Sequence, residues 1–277
     1  MENQTVVQEF ILLGLTNDQE LQHVLFTPFL LLYMACLLGN GAILTVVVAE
    51  PKLHMPMYFF LGNLSCLDIC YTTATMPKML SGFLLEHQAI SFSGCLTQLH
   101  FFHFLGSSEA MLLGVMAYDR YVAICKPLRY STIMSKQACL RLAVATWTAG
   151  FFYALMNTVL TSRLWFCGPN HILHFICDIK PLLKLACSST ALNLMSRWKA
   201  FSTCASHLTV VALFYIPVIS NYALASAGDS AEREMTITVL YSAVTPVLNP
   251  LIYSMRNQEV KSCLRKALSR KLLSERA

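Results

Sequence analysis

Six long apolar stretches divide the chain, and each contains at most one charged residue. Four of them lack Asp, Glu, Lys and Arg altogether, the second contains only Asp68 and the third only Glu109. Each is long enough to cross a bilayer, which takes about 20 apolar residues in a helix. The pattern predicts an all-α membrane protein whose bundle covers 24–255, with spans at about 24–49, 57–76, 95–118, 142–162, 201–228 and 235–255.

The composition supports a membrane protein rather than a soluble one. Hydrophobic residues make up 56% of the 277 residues and charged residues 13%, about half the charged share of a soluble domain. The net charge of +5 comes from basic residues that collect between and after the spans, and no basic patch is interleaved with aromatic residues. We therefore expect the lipid bilayer as a partner, and no nucleic acid.

The distribution of charge predicts how the chain is threaded through the membrane. Residues 1–23 contain four acidic residues and no Lys or Arg, whereas Lys52 follows the first span. Because basic residues favour the cytoplasmic side, the N-terminal segment 1–23 is expected outside, where a glycosylation sequon begins at Asn3. Residues 256–277 carry seven basic residues and are expected to form a cytoplasmic tail with an amphipathic helix. The predicted location is the plasma membrane, with multiple passes.

The number of spans does not fit this topology. An outside N-terminus followed by six spans would leave the basic tail outside as well. Residues 163–199 offer no further span, because their longest apolar run, 185–195, has 11 residues. As a helix that run is about 16 Å long, against a hydrocarbon core of about 30 Å. One membrane crossing is therefore predicted to be missing between the fourth and fifth apolar stretches.

Four sequence strings, in order along the chain, are similar to one protein family. They are PMYFFL at 56–61, MAYDRYVAIC at 116–125, KAFSTCASH at 199–207 and PVLNPLIY at 246–253. Together they resemble the odorant receptors, a branch of the rhodopsin-like G-protein-coupled receptors. The resemblance covers nearly the whole chain and implies a seven-helix bundle in which KAFSTCASH begins the sixth helix. A fifth helix and a third cytoplasmic loop should precede that string, so the resemblance implies that both are absent.

The resemblance also implies a function and its residues. Such a receptor binds a small volatile odorant and promotes nucleotide exchange on a heterotrimeric G protein of the stimulatory olfactory type, and it is not an enzyme. Asp119, Arg120 and Tyr121, where the third span reaches the cytoplasm, are expected to serve G-protein coupling. The ligand pocket is expected in the outer halves of the third, sixth and seventh spans, at Phe102, His103, Gly106, Ser107, Tyr215, Val218, Tyr222 and Val239.

Two carboxylates inside apolar spans form a second candidate site. Asp68 is 11 residues beyond Met57 and Glu109 is 9 residues before Tyr118, so both lie about 14–17 Å from the cytoplasmic ends of their spans. Carboxylates at matched depth either share a proton or hold a cation. The resemblance favours a sodium site that includes Asn249, and a protonated, hydrogen-bonded pair is the alternative. No other cofactor is expected.

Four of the eleven cysteines are predicted on the oxidising outer side: Cys95, Cys167, Cys177 and Cys187. Four cysteines allow three pairings. The resemblance implies the pairs Cys95–Cys177 and Cys167–Cys187. No Cys-x-x-Cys pair or other metal-ligand spacing is present, so no metal site is predicted.

A receptor without its fifth helix is expected to be impaired. One wall of the pocket and one side of the G-protein cleft would be lost, so we expect retention in the endoplasmic reticulum and no odorant-driven signalling. Two alternatives remain at this stage. The chain could be a non-signalling truncated receptor that retains or traps full-length receptors, or a six-span channel or carrier.

Overall fold

The computed structural model describes residues 7–16, 18–85, 88–166 and 170–188. Six α-helices lie in this part of the chain: α1 Gln19–Ala49, α2 Pro56–Leu84, α3 Phe92–Cys125, α4 Tyr130–Ile133, α5 Lys136–Ser162 and α6 Ile179–Leu185. Single 3-10 turns precede α2 and α4, at Pro51–Leu53 and Pro127–Arg129. The predicted spans 201–228 and 235–255, the tail 256–277 and Asn3 lie outside the described residues.

The four long helices begin before the apolar stretches that predicted them, and polar capping residues set the N-terminal ends of α1, α3 and α5. The Asp18 carboxylate accepts the backbone N–H groups of Glu20 and Leu21 at the start of α1. Ser91 and Ser135 cap α3 and α5 in the same way. Each cap satisfies N–H groups that have no partner inside the helix.

Helix α2 lies between α1 and α3, and α3 packs along α5. The largest apolar cluster joins α2, α3 and α5, with Phe60, Leu64 and Leu112 fully buried. A polar contact ties α2 to α5, since the Trp147 Nε1–H donates to Asn63 Oδ1 at 3.2 Å. These contacts fix the three helices that carry the candidate site residues.

Two helices among the described residues, α1 and α5, are long and apolar enough to cross a membrane by length and composition. Helices α2 and α3 have 29 and 34 residues, but the polar residues within them lower their mean hydropathy. Many of those polar side chains, Asp68 and Glu109 among them, are buried within the bundle.

The structure is mostly helical, as predicted, and a small three-stranded sheet that the sequence did not predict lies at the end of the bundle where α3 begins. Strand β1, Glu9–Leu12, lies in the centre, antiparallel to β2, Ala89–Ser91, and parallel to β3, His171–Ile172. The register pairs Phe10 with Ile90 and Leu12 with Ile172. Phe10 and Leu12 are buried among apolar residues of α3 and the outer loop. Strand β1 therefore packs against the end of the bundle where α3 begins.

Candidate functional site

The N-terminal half of α3, which the sequence predicts to be the outer half, carries the four predicted ligand residues that the structure describes. Phe102 and His103 are half-buried, and the Phe102 ring lies 5.3 Å from the ring of Tyr71 on α2. Gly106 and Ser107 follow one turn deeper and are also half-buried. The other four predicted ligand residues, Tyr215, Val218, Tyr222 and Val239, lie outside the described residues.

His103 connects this wall to the outer loop. Its Nε2 lies 3.1 Å from Asp178 Oδ1, and the two side chains are 19% and 25% exposed. Asp178 also caps α6, because the same oxygen accepts the Ile179 N–H at 2.7 Å. The pair is a polar contact among aromatic rings, with the Tyr153 ring edge-on to that of His103. Sequence reasoning predicted His103 as a ligand residue and did not identify Asp178.

The electrostatics of the outer loop favour an ionised Asp178. Burial raises the pKa of this carboxyl, but the hydrogen bond and charge of His103 and the Ile179 N–H outweigh burial and lower it below its ordinary value. The nearby His174 is buried beneath the loop, and burial lowers its pKa although Asp178 acts in the opposite direction. The loop thus places the ionised Asp178 carboxylate beside Nε2 of His103. The imidazole of His174, beneath the loop, is mainly neutral.

A disulfide holds this loop on α3. Cys95 and Cys177, the pair that the resemblance implied, are bonded, and the Cys177 N–H donates to Gln98 Oε1 at 3.0 Å. Cys187 is also disulfide-bonded, and its implied partner Cys167 lies outside the described residues. The covalent bond places Asp178, the next residue after Cys177, within reach of His103.

The polar groups at mid-depth come from three helices. Asp68 of α2 and Glu109 of α3 are both buried, and both lie near enough to the Cys36 thiol of α1 to act on it electrostatically. Asn40 is buried one turn along α1 and donates to the Cys36 sulfur at 3.4 Å. Asn40, which sequence reasoning missed, and the two predicted carboxylates therefore lie around the same thiol. Asn249 lies outside the described residues.

The C-terminal end of α3, which the sequence predicts to face the cytoplasm, has a buried acid beside an exposed base. The Asp119 side chain is 2% exposed and accepts a hydrogen bond from the Tyr130 hydroxyl at 2.9 Å. Arg120 and Tyr121 are exposed, and the Tyr121 ring stacks on Tyr118. Burial, together with the bond to Asp119, raises the pKa of Tyr130. Sequence reasoning treated Asp119 and Arg120 as one unit and missed Tyr130, nine residues after Tyr121.

The loop that supplies Tyr130 also exposes an apolar side chain. Leu128 lies in the turn before α4 and is 98% exposed, more than any other large hydrophobic residue in the described part of the chain. Beside it, Arg129 and Lys126 are exposed as well. In residues 7–188, as far as they are described, no three His, Cys, Asp or Glu side chains form a metal-binding group.

Comparisons with a family model and with individual proteins find the same family. A family model described as "Olfactory receptor" matches residues 29–196 and 194–271. Olfactory receptor 12D1 of Homo sapiens is 52% identical over 306 aligned positions, which cover 98% of this chain and 96% of the relative. Olfactory receptor 12D3 of Homo sapiens is 51% identical over 311 positions, with 99% and 98% covered. Olfactory receptor 1f45 of Rattus norvegicus is 44% identical over 308 positions, with 99% and 98% covered.

Proposed function

Because the chain belongs to the olfactory receptor family of G-protein-coupled receptors, we propose that it binds small volatile odorants through the outer half of its bundle. The supporting geometry is the wall of α3, where the half-buried Phe102 adjoins the polar pair His103–Asp178. An apolar wall with one polar anchor is typical of pockets for small ligands. The expected ligands are apolar molecules with one hydrogen-bonding group that can reach His103 or Asp178.

The proposed output is nucleotide exchange on a stimulatory G protein. The exposed Arg120 and the almost fully exposed Leu128 form a charged and apolar surface at the cytoplasmic end of α3. Arginine suits this role because its planar cation stays charged while it exchanges partners. The bond between Tyr130 and Asp119 holds the loop that carries Leu128 against α3. Odorant and G protein would each favour the same conformation, as linkage requires.

We further propose that the chain lacks the fifth transmembrane helix and third cytoplasmic loop of its relatives. The alignment with olfactory receptor 12D1 has 306 positions and this chain has 277 residues, so at least 29 positions have no counterpart here. That length suits a span of about 20 residues and a short loop. The two family matches meet at residues 194–196, inside the segment where the count of spans called for another crossing. Plasma-membrane delivery and signalling are therefore expected to be impaired.

A repaired chain tests both proposals. The unmatched segment of olfactory receptor 12D1 is inserted after residue 195, and a control carries the same residues in reversed order. Surface labelling, glycan maturation and cyclic AMP are then measured with a panel of volatile odorants. We expect retention and silence from the original chain and the control, and surface delivery with an odorant response from the repaired chain. A response from the original chain would overturn the proposed impairment, and a silent repaired chain at the surface would overturn odorant binding.

The mid-depth cluster is proposed to hold a sodium ion or a shared proton. Asp68, Glu109 and Asn40 provide oxygen atoms in a buried setting, where two carboxylates cannot both remain charged without compensation. Melting temperatures of the repaired receptor in sodium chloride and in choline chloride separate the two cases. Stabilisation by sodium that disappears in Asp68→Asn supports the ion. Equal melting in both salts supports the proton.

Two alternative functions stay predictions. Trapping of full-length receptors is tested by co-immunoprecipitation, and ion transport is tested by flux in liposomes.

A further inference from the structure

The polar pair His103–Asp178 has two polar atoms that its own contacts do not use. His103 Nε2 and the Ile179 N–H both meet Oδ1 of Asp178, at 3.1 and 2.7 Å. Within the described part of the chain, no hydrogen bond involves Oδ2 of Asp178 or Nδ1 of His103. Neither atom is among the fully buried polar atoms that lack a partner there, so each keeps some accessible surface. One oxygen and one nitrogen of the pair are therefore open to a ligand.

The contact at Oδ1 determines which of these atoms donate and which accept. An ionised carboxylate only accepts hydrogen bonds, so the His103 nitrogen that faces it, Nε2, is the donor. In a neutral imidazole the other nitrogen then carries a lone pair and accepts. Oδ2 of Asp178 accepts whether His103 is neutral or protonated, so it is the atom on which selection of a ligand depends.

The surroundings of the pair give this unused acceptor its importance. The Phe102 and Tyr153 rings lie 5.4 and 6.5 Å from the His103 ring, both edge-on. Among the described residues, the ion-pair partner of Asp178 is His103, and the two side chains are only 19% and 25% exposed. An acceptor that is partly removed from water and has no donor raises the free energy of the site. The pair therefore favours a ligand that brings a donor.

Building on the proposed odorant binding, we propose that the pair selects odorants with a hydrogen-bond donor, alcohols and amines, over odorants that only accept. The O–H or N–H group of the ligand donates to Oδ2 of Asp178, and its hydrocarbon part packs on the wall at Phe102. An aldehyde of the same skeleton brings an oxygen lone pair to the carboxylate and leaves Oδ2 unpaired. A site that pairs a ligand's donor discriminates strongly against analogues that lack it.

Affinities for matched odorants test this selection. The full chain is prepared in nanodiscs, and binding of octanol, octylamine and octanal is measured by equilibrium dialysis, with empty nanodiscs as the correction for partition into lipid. The same three groups are also tested on citronellyl and benzyl skeletons. Within each skeleton the apolar part is nearly constant, so the ratio of affinities reports the polar contact. We expect the alcohol and the amine to bind about tenfold more tightly than the aldehyde, as for a hydrogen bond to a charged group.

Asp178→Asn tests the atom on which the selection depends. The amide oxygen still accepts the two hydrogen bonds made at Oδ1, but an N–H donor replaces Oδ2. The preference over the aldehyde is expected to disappear, with the largest loss of affinity for the amine. Asp18→Asn is the matched control, because Asp18 is an exposed N-cap residue of α1 and the variant loses the same charge. A ratio of affinities within one preparation does not depend on the folded fraction, so a destabilised variant still gives a result.

The results that would overturn the selection can be told apart from a failure of odorant binding. Equal binding of alcohol, amine and aldehyde by wild type would overturn donor selection and leave odorant binding intact. A preference that persists in Asp178→Asn, or that changes equally in Asp18→Asn, would show that this carboxylate does not select the ligand. Absence of binding for every odorant in the set would overturn odorant binding itself, and the selection with it.

Discussion

The hydrogen bond between Tyr130 and Asp119 gives a prediction whose size follows from the structure. Tyr130→Phe removes one hydroxyl and leaves a carboxylate that is 2% exposed without its 2.9 Å donor. A hydrogen bond to a charged group contributes about 1.5–3 kcal/mol. We therefore expect the variant to lose about 2 kcal/mol of unfolding free energy, which lowers the melting temperature of a chain of this size by about 4–8 °C.

The dependence of this loss on pH identifies its cause. Burial and the bond to Asp119 raise the pKa of Tyr130 above its ordinary value of 10.0. The stability contributed by the neutral phenol is therefore fully present below pH 10 and is lost as the pH rises through the raised pKa. The melting difference between wild type and Tyr130→Phe should stay constant from about pH 6 to 9 and shrink above pH 10.

The assay is thermal unfolding of the full chain in nanodiscs, followed by tryptophan fluorescence. Tyr121→Phe is the control, because it removes the same atom from a ring that is 51% exposed. Asp119→Asn, alone and combined with Tyr130→Phe, completes a double-mutant cycle that isolates the coupling between the two side chains. A Tyr130→Phe variant that melts within 1 °C of wild type, or no more than 1 °C below the control, would refute the reasoning.

Three further predictions concern α3, α5 and the outer loop. Gly150→Ala should lower the free energy of unfolding by about 1–3 kcal/mol, because the added methyl group would overlap the facing serines of α3. Gly114→Ala is the control, because its methyl group meets open space, and its melting temperature should be unchanged or higher. Cys95→Ser opens a disulfide between residues 82 apart and should cost about 4 kcal/mol, checked by melting with and without reductant. Asp178→Asn should melt below wild type above pH 3.8, because the pKa of Asp178 is lowered from this ordinary value. The difference in melting temperature should fade as the pH falls through the lowered pKa, and it is measured between pH 3 and 7.

The candidate site could be predicted only in part from the sequence. Asp68 and Glu109 were recognisable because a carboxylate in an apolar span is costly. Arg120 was recognisable only inside a longer string that resembled a family, and His103 only from the pocket position that this resemblance implied. Their partners were not recognisable, because Asp178 is 75 residues from His103 and an acid in a loop has no distinctive pattern around it. Tyr130 was missed for a similar reason, as one tyrosine among eleven.

The sequence alone predicted helices across four of its apolar stretches, and the structure has long helices α1, α2, α3 and α5 there; two of them, α1 and α5, are long and apolar enough to cross a membrane. It also predicts an outer position for the N-terminus, because the positive charges lie beyond the first span. Tertiary structure decided that Glu9–Leu12 becomes a strand. Four residues contain too little alternation to predict one, and their partners, Ala89–Ser91 and His171–Ile172, lie roughly 80 and 160 residues away. Backbone pairing depends on which chain edges meet, and packing of the long helices brings those edges together.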